Sequence, residues 1–170
     1  DLSIMFTVIS IRSVTQVSAI YTWIMAALLA EKKALCGNQR IVEQFHSHST
    51  EETKKRIMTL FPLKESPIRV LVCTVAFGMG VNIQDVHYVI HWGVSNTTLC
   101  YWQEVGRAGR DGTPSKAIMY ATKTSLADRK VDSVVREIFS GTNACIREAV
   151  LRTLVTEHMD LCELDKLNDR

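Results

Sequence analysis

The sequence has 170 residues, of which 46% are hydrophobic and 22% are charged, and its formal net charge is +2. A chain of this length can bury a real hydrophobic core, and this composition excludes a mainly disordered tail or linker. The net charge is too small to indicate nucleic-acid binding, so any such function has to be argued from local groups of residues.

The first half of the chain alternates strand and helix patterns. A β-branched apolar run at 3–10 predicts a strand, and the pattern over 14–33 predicts a helix. A strand at 40–47, a helix at 49–61 and a strand at 68–75 follow. Ser49 or Thr50 is predicted to cap this second helix, because acidic and then basic residues follow in the order that the helix dipole favours.

The second half continues the alternation. Strands are predicted at 86–92 and 116–122 and helices at 97–108 and 125–140, with Gly141 as the stop and one more helix in the tail. Strands that are apolar on both faces and alternate with helices predict an α/β fold, in which helices cover both faces of a parallel sheet.

The cysteines and the longest apolar run bear on location. Five widely spaced cysteines are typical of reduced thiols, so we expect a nuclear or cytoplasmic protein. The run at 19–30 is too short to cross a bilayer and is followed by charged residues, so we expect no membrane segment. Because the chain begins at Asp1, without an initiator Met, we expect it to be part of a longer protein.

Two arginines, Arg107 and Arg110, stand among glycines in the segment that follows the fourth strand. On a helix over 97–108, Gln103 would share one face with both of them, and arginine is the side chain best suited to clamp phosphate. The alternative is that the arginines face solvent and pair with Glu104 and Asp111. The small residues around them favour a binding site.

Two segments carry a resemblance to a known family. The sequence QEVGRAGRDG at 103–112 resembles motif VI of the RecQ family of DNA helicases, and the segment at 70–92 resembles their motif V. The resemblance extends from residue 3 to about residue 154 and implies the second of two RecA-like domains. DEAD-box RNA helicases share the GRxGR core, but they usually have His and Arg where Gln103 and Glu104 stand.

For the nucleotide, the resemblance implies ATP and Mg²⁺ bound in the cleft between two RecA-like domains. Arg110 would be the arginine finger, Arg107 its neighbour, and Gln103 would orient the nucleotide or the attacking water, with an ordinary surface glutamine as the alternative. The motif V residues on the cofactor side would be Gly78, Gly80, Asn82 and Asp85.

For DNA, the resemblance implies contacts to phosphates through Thr74 and the nearby backbone. Ser10 and Arg12 follow the first strand, where the family's motif IV stands, and would hold a phosphate there. Phe77 is a further DNA candidate, with packing as its alternative. The expected partners are single-stranded DNA, duplex junctions and the first RecA-like domain in cis, with movement 3′ to 5′ and a role in repair or recombination.

The tail resembles the start of a RecQ zinc-binding annex, so the predicted domains are 1–140, RecA-like, and 141–170, an incomplete annex. Cys145 and Cys162 match its first two ligands, while Asp165 and Asn168 stand where the others would be. Because a structural zinc site needs four ligands, no zinc is predicted.

The chain contains neither a GxxxxGKT phosphate loop nor DExH-type carboxylates. We therefore expect the isolated chain to be inert and the ATPase activity to need the first RecA-like domain. The predicted function is that of a motor domain of an ATP-dependent DNA helicase. The alternatives are an RNA helicase of the same superfamily and a degenerate fragment that only binds nucleic acid or protein.

Overall fold

The computed structural model describes residues 6–31, 40–74, 86–141 and 145–155. Within these residues the strands are β1 (Phe6–Ile11), β2 (Val42–Phe45), β3 (Val70–Thr74), β4 (Val86–Trp92) and β5 (Lys116–Tyr120). The helices are α1 (Val14–Ala30), α2 (Glu51–Leu60), α3 (Thr98–Val105), α4 (Lys123–Leu126), α5 (Ser133–Phe139) and α6 (Ile146–Leu154).

The strands form one parallel sheet in the order β2-β3-β1-β4-β5. Side chains of β1 alternate between the two faces: Val8 packs with Ile57 and Phe61 of the α2 region, whereas Ile9 and Val17 of α1 share the other core. The prediction of an α/β fold, with a parallel sheet covered by helices on both faces, is confirmed.

Helix α2 begins where its sequence predicts. Thr50 is the N-cap, and its side chain accepts a hydrogen bond from the backbone N of Thr53 at 3.2 Å. Glu51 and Glu52 occupy the first turn, where the helix dipole favours negative charge.

The prediction of one helix over 125–140 is wrong. The structure has two short helices there, α4 and α5, separated by a turn. The Asp128 side chain accepts from the backbone N of Lys130 at 2.9 Å, and the Asp132 side chain caps α5 by accepting from Val134 N at 3.1 Å. These side-chain hydrogen bonds compete with the helical pattern and divide it.

The chain divides into two compact units, Asp1–Trp92 with Glu104–Tyr120, and Gly93–Gln103 with Ala121–Arg170. The first contains the whole sheet. In the second, the rings of Tyr101 and Phe139 meet with centroids 5.1 Å apart. The predicted boundary after residue 140 lies inside the second unit and stays a prediction.

No helix among the described residues is both long and apolar enough to cross a membrane.

Candidate functional site

The turn after α3 carries the two arginines of the resemblance to motif VI. The helix ends at Val105 and not at residue 108 as predicted. The next residues form a tight turn with hydrogen bonds between residues three apart: Arg107 N donates to Glu104 O at 3.3 Å, and Ala108 N donates to Val105 O at 3.0 Å. Arg107 and Arg110 therefore lie in a turn, and the prediction of one helical face shared with Gln103 is wrong.

Gly109 attaches this turn to the sheet. Its backbone N donates to Val86 O at 3.0 Å, and Val86 also forms a parallel bridge with Ala108. Gly109 has φ +66°, and a Cβ at this position would stand 2.6 Å from Ser115 Oγ and 3.0 Å from Thr113 O. Only glycine fits there without displacement of its neighbours.

Arg107 is half-buried in the first unit. Burial lowers the pKa of its guanidinium, the positive charge of Arg110 lowers it further, and Cys73 and Glu104 oppose the change. Arg107 thus lies in a partly desolvated place and feels the positive charge of the exposed Arg110. An anion bound beside these guanidinium groups would offset both the desolvation of Arg107 and its repulsion by Arg110.

Arg110 is exposed, and its Nε donates to Gly106 O at 3.0 Å. That bond links Nε to the backbone of the same turn. Asp111 has a local role in the turn, since its Oδ1 accepts from Thr113 N at 3.1 Å and from Thr113 Oγ1 at 2.7 Å. Gln103 is also exposed and belongs to the second unit.

A buried pair of side chains lies close to the arginine turn. His91 Nε2 and Glu104 Oε2 are 2.6 Å apart, and the two side chains are 3% and 8% exposed. Sequence reasoning missed this pair, because a single histidine on a strand carries no signal of its own and Glu104 was considered only as a possible surface partner of the arginines.

The sheet register places the predicted phosphate-binding hydroxyls on opposite faces. Ser10 lies between Cys73 and His91, whereas Thr74 is the partner of Ile11, one residue further along. Ser10 and Thr74 are each only 9% exposed. The structure therefore does not bring the two side chains together, and their role in DNA binding stays a prediction.

Other predicted site residues are placed only in part. Arg12 follows directly after β1 and is partly exposed. The remaining motif V candidates lie outside the described residues, namely Phe77, Gly78, Gly80, Asn82 and Asp85.

The absence of zinc also stays a prediction. Cys145 is described, and it caps α6 by accepting from Glu148 N at 3.5 Å. The other tail positions of the predicted annex lie outside the described residues, namely Cys162, Asp165 and Asn168.

Comparison with protein families decides the classification. The family model for the helicase conserved C-terminal domain matches residues 4–112, which include the sheet strands β1 to β4, the arginine turn and the motif V segment. The chain belongs to the helicase conserved C-terminal domain family.

Relatives of this helicase domain confirm the resemblance to RecQ proteins. The ATP-dependent DNA helicase Q-like 2 of Arabidopsis thaliana is 39% identical over 82 residues, which are 48% of this chain and 12% of that protein. The ATP-dependent DNA helicase RecQ of Pasteurella multocida is 37% identical over 73 residues, which are 43% of this chain and 12% of that protein.

Not every relative is named for DNA. The protein R290 of Acanthamoeba polyphaga mimivirus, whose name places it with ATP-dependent RNA helicases, is 40% identical over 91 residues, 54% of this chain and 15% of that protein. All three relatives are thus several times longer than the segment they share with this helicase domain.

Solved structures agree with the fold. The DUF1998 helicase MrfA, in a crystal structure bound to DNA, has a TM-score of 0.60 and 25% identity, covering 70% of this chain and 16% of that one.

The helicase domain also has an exposed aromatic pair that sequence reasoning missed. Trp92 and Tyr120 are register partners at the carboxyl ends of β4 and β5, with ring centroids 5.6 Å apart. Their exposed fractions are 49% and 52%. The available signal was a large aromatic residue at the end of each of two predicted strands.

Proposed function

We propose that this chain is the second motor domain of an ATP-dependent, RecQ-like DNA helicase that couples ATP hydrolysis to unwinding in the 3′ to 5′ direction. The observation that carries the proposal is the arginine turn, which places Arg107 and Arg110 directly after α3 and is bonded to the sheet through Gly109 N and Val86 O. Such a concentration of positive charge fits the phosphates of a nucleotide.

The two arginines have different surroundings, which supports different roles. Arg107 is half-buried and held near Cys73 and Glu104, so it is suited to a fixed contact with bound phosphate. Arg110 is exposed, so its guanidinium is suited to reach a nucleotide carried mainly by the first RecA-like domain. We therefore assign the arginine-finger role to Arg110.

ATP with Mg²⁺ would supply the γ-phosphoryl group whose transfer to water drives the motor. This chain would contribute the positive charge that stabilises the negative oxygens as the bond to that group breaks. Its turn is attached to the sheet through Gly109, so the arginines need little rearrangement during the reaction.

DNA would run past the carboxyl ends of the strands, where the family likeness puts the nucleic acid. Thr74 and Trp92 both lie level with Ile11 on one face of the sheet, and Tyr120 continues the row. Hydroxyl and backbone donors there can hold phosphates, and exposed aromatic rings can stack on bases.

Replacement of Arg110 in the full-length protein tests the proposal. Arg110→Ala is expected to lower kcat for DNA-stimulated ATP hydrolysis by ~10³-fold or more with a modest change in nucleotide affinity, because an arginine finger acts on the transition state. Arg110→Lys should lose nearly as much, since lysine keeps the charge but lacks the planar fork. Phosphate release and nucleotide titration are the measurements.

Arg129→Ala is the matched control, because Arg129 is an exposed arginine outside the motif. Near-normal turnover in Arg110→Ala would contradict the proposal and favour a domain that binds nucleic acid without catalysis.

The second candidate is an RNA helicase, which the similarity to the viral protein R290 favours. ATP turnover stimulated by single-stranded RNA but not by single-stranded DNA would select it.

A further inference from the structure

The buried pair of His91 and Glu104 has no part in the proposed function so far. It lies inside the first unit, with His91 one residue before the end of β4 and Glu104 one residue before the end of α3. Burying a carboxylate is costly unless a partner satisfies it, so this pair needs an explanation.

We propose that the hydrogen bond between His91 and Glu104 is a positioning device that sets the arginine turn, and Arg107 in particular, for the reaction. This inference rests on the proposed function, because it concerns the same two arginines. Neither residue is assigned a contact with nucleotide or DNA.

Glu104 acts on Arg107 in two ways. Its backbone O accepts from Arg107 N at 3.3 Å, which closes the first step of the turn. Its carboxylate also opposes the lowering of the Arg107 pKa, so the two side chains interact electrostatically. A change in the position of Glu104 would therefore move both the backbone and the guanidinium of Arg107.

His91 fixes Glu104 from the sheet side. Its Nε2 lies 2.6 Å from Glu104 Oε2, and its backbone belongs to β4, which pairs with β1 on one side and β5 on the other. β4 is therefore an interior strand of the sheet, with hydrogen-bonded neighbours on both sides. The hydrogen bond from the imidazole therefore holds Glu104, and with it the start of the arginine turn, at a fixed place relative to β4.

Stability alone does not account for such a pair. Replacing both partners of a buried hydrogen bond with apolar groups of the same shape can be nearly neutral or stabilising, so packing would be served as well by two aliphatic side chains. Aliphatic side chains would not fix the orientation of the side chain at position 104, because a hydrogen bond is directional whereas apolar contact is not. Positioning therefore explains the pair better than packing does.

The test uses the full-length protein and two pairs of variants. Glu104→Ala and His91→Leu remove the hydrogen bond, whereas Glu104→Gln keeps an acceptor and His91→Gln keeps a donor that reaches the position of Nε2. The first two are expected to lower kcat for DNA-stimulated ATP hydrolysis by about 10²-fold with little change in KM, because a displaced catalytic group costs that much. The two Gln variants should retain most of kcat.

A double variant separates positioning from a general loss of structure. In Arg107→Ala, the residue to be positioned is already absent, so adding His91→Leu should cause little further loss of kcat. Independent, multiplicative losses in the double variant would overturn the proposal.

The outcomes distinguish this inference from the proposed function. Wild-type kcat in His91→Leu and Glu104→Ala, with inactive Arg107→Ala and Arg110→Ala, would overturn the positioning role and leave the proposed function standing. Wild-type kcat in all four would overturn the proposed function itself. If Glu104→Ala does not fold, as judged by its thermal unfolding, His91→Leu decides the question, since leucine keeps the buried volume.

Discussion

At the residue scale, Cys73 shows how burial sets the chemistry of a side chain. The thiol is 3% exposed and lies in the core beside the arginine turn. Burial raises the pKa of Cys73 from 9.0 to about 12, with Arg107 opposing the change and Glu104 adding to it. Cys73 is therefore a neutral, unreactive packing residue at neutral pH, despite its place next to Thr74.

This pKa predicts an alkaline dependence of stability. Well below pH 9 the thiol is protonated in both the folded and the unfolded chain, so it contributes nothing that varies with pH. Between pH 9 and about 12 the unfolded chain releases the proton and the folded chain does not, so the free energy of unfolding falls as pH rises, by up to about 4 kcal/mol. Urea unfolding at several pH values measures this fall in the free energy of unfolding.

The matched control separates Cys73 from other alkaline groups. In Cys73→Ala the additional fall above pH 9 should disappear, whereas Cys145→Ala should keep it, because Cys145 is exposed. Equal pH dependence in the wild type and in Cys73→Ala would show that the raised pKa is wrong.

At the element scale, the arginine turn depends on two glycines with different surroundings. Gly109 and Gly112 both have positive φ, at +66° and +83°. A Cβ on Gly109 would meet Ser115 Oγ and Thr113 O, whereas a Cβ on Gly112 would meet nothing within 4 Å. Substitution of Gly112 therefore reports backbone strain alone, whereas substitution of Gly109 reports strain together with steric conflict.

Gly109→Ala and Gly112→Ala form a matched pair. Gly112→Ala should cost roughly 1–2 kcal/mol, the strain of a left-handed conformation for an L-residue. Gly109→Ala should cost more, because the Thr113 carbonyl must also move, and it should weaken the bond from Gly109 N to Val86 O. Denaturant unfolding of both variants, with hydrogen exchange at residue 109, measures the difference. Equal costs would contradict the crowding at Gly109.

The elements that the sequence predicts well are those whose signal is local. The β-branched run at 86–92 predicts β4 with its observed bounds, and Thr50 predicts the start of α2. One failure occurs where a side chain competes with the helical pattern, since Asp132 divides the predicted helix at 125–140. The other occurs where the backbone bonds elsewhere: α3 ends at Val105, before the predicted residue, and the following turn bonds to the sheet through Gly109 N.

At the scale of the whole molecule, the sequence predicts which motifs matter but not which residues meet. Motif VI marks Arg107 and Arg110 as candidate site residues because the spacing of its residues is specific. The contact between His91 and Glu104 depends on how β4 and the end of α3 pack together, which local pattern does not encode. The pairing of Trp92 with Tyr120 likewise depends on two strands becoming neighbours in the sheet.

That row of strand ends yields a prediction for DNA binding by the 170-residue chain. Thr74 and Trp92 are both partners of Ile11, so their strands stand about 10 Å apart, and Tyr120 extends the same face. A single strand along this edge would stack a base on Trp92. Trp92→Ala should therefore weaken binding of a labelled single-stranded oligonucleotide by about 5- to 160-fold, the value of one stacked base.

Salt and a second tryptophan make this last test specific. Stacking is not ionic, so Trp92→Ala should leave the slope of log affinity against log salt unchanged, whereas Arg12→Ala should reduce it by about 0.7 if Arg12 holds one phosphate. Trp23 is 71% exposed on α1 and is not at a strand end, so Trp23→Ala should bind as the wild type does. Equal losses in Trp23→Ala and Trp92→Ala, measured by fluorescence anisotropy at two salt concentrations, would show that the strand-end aromatics are not the stacking surface.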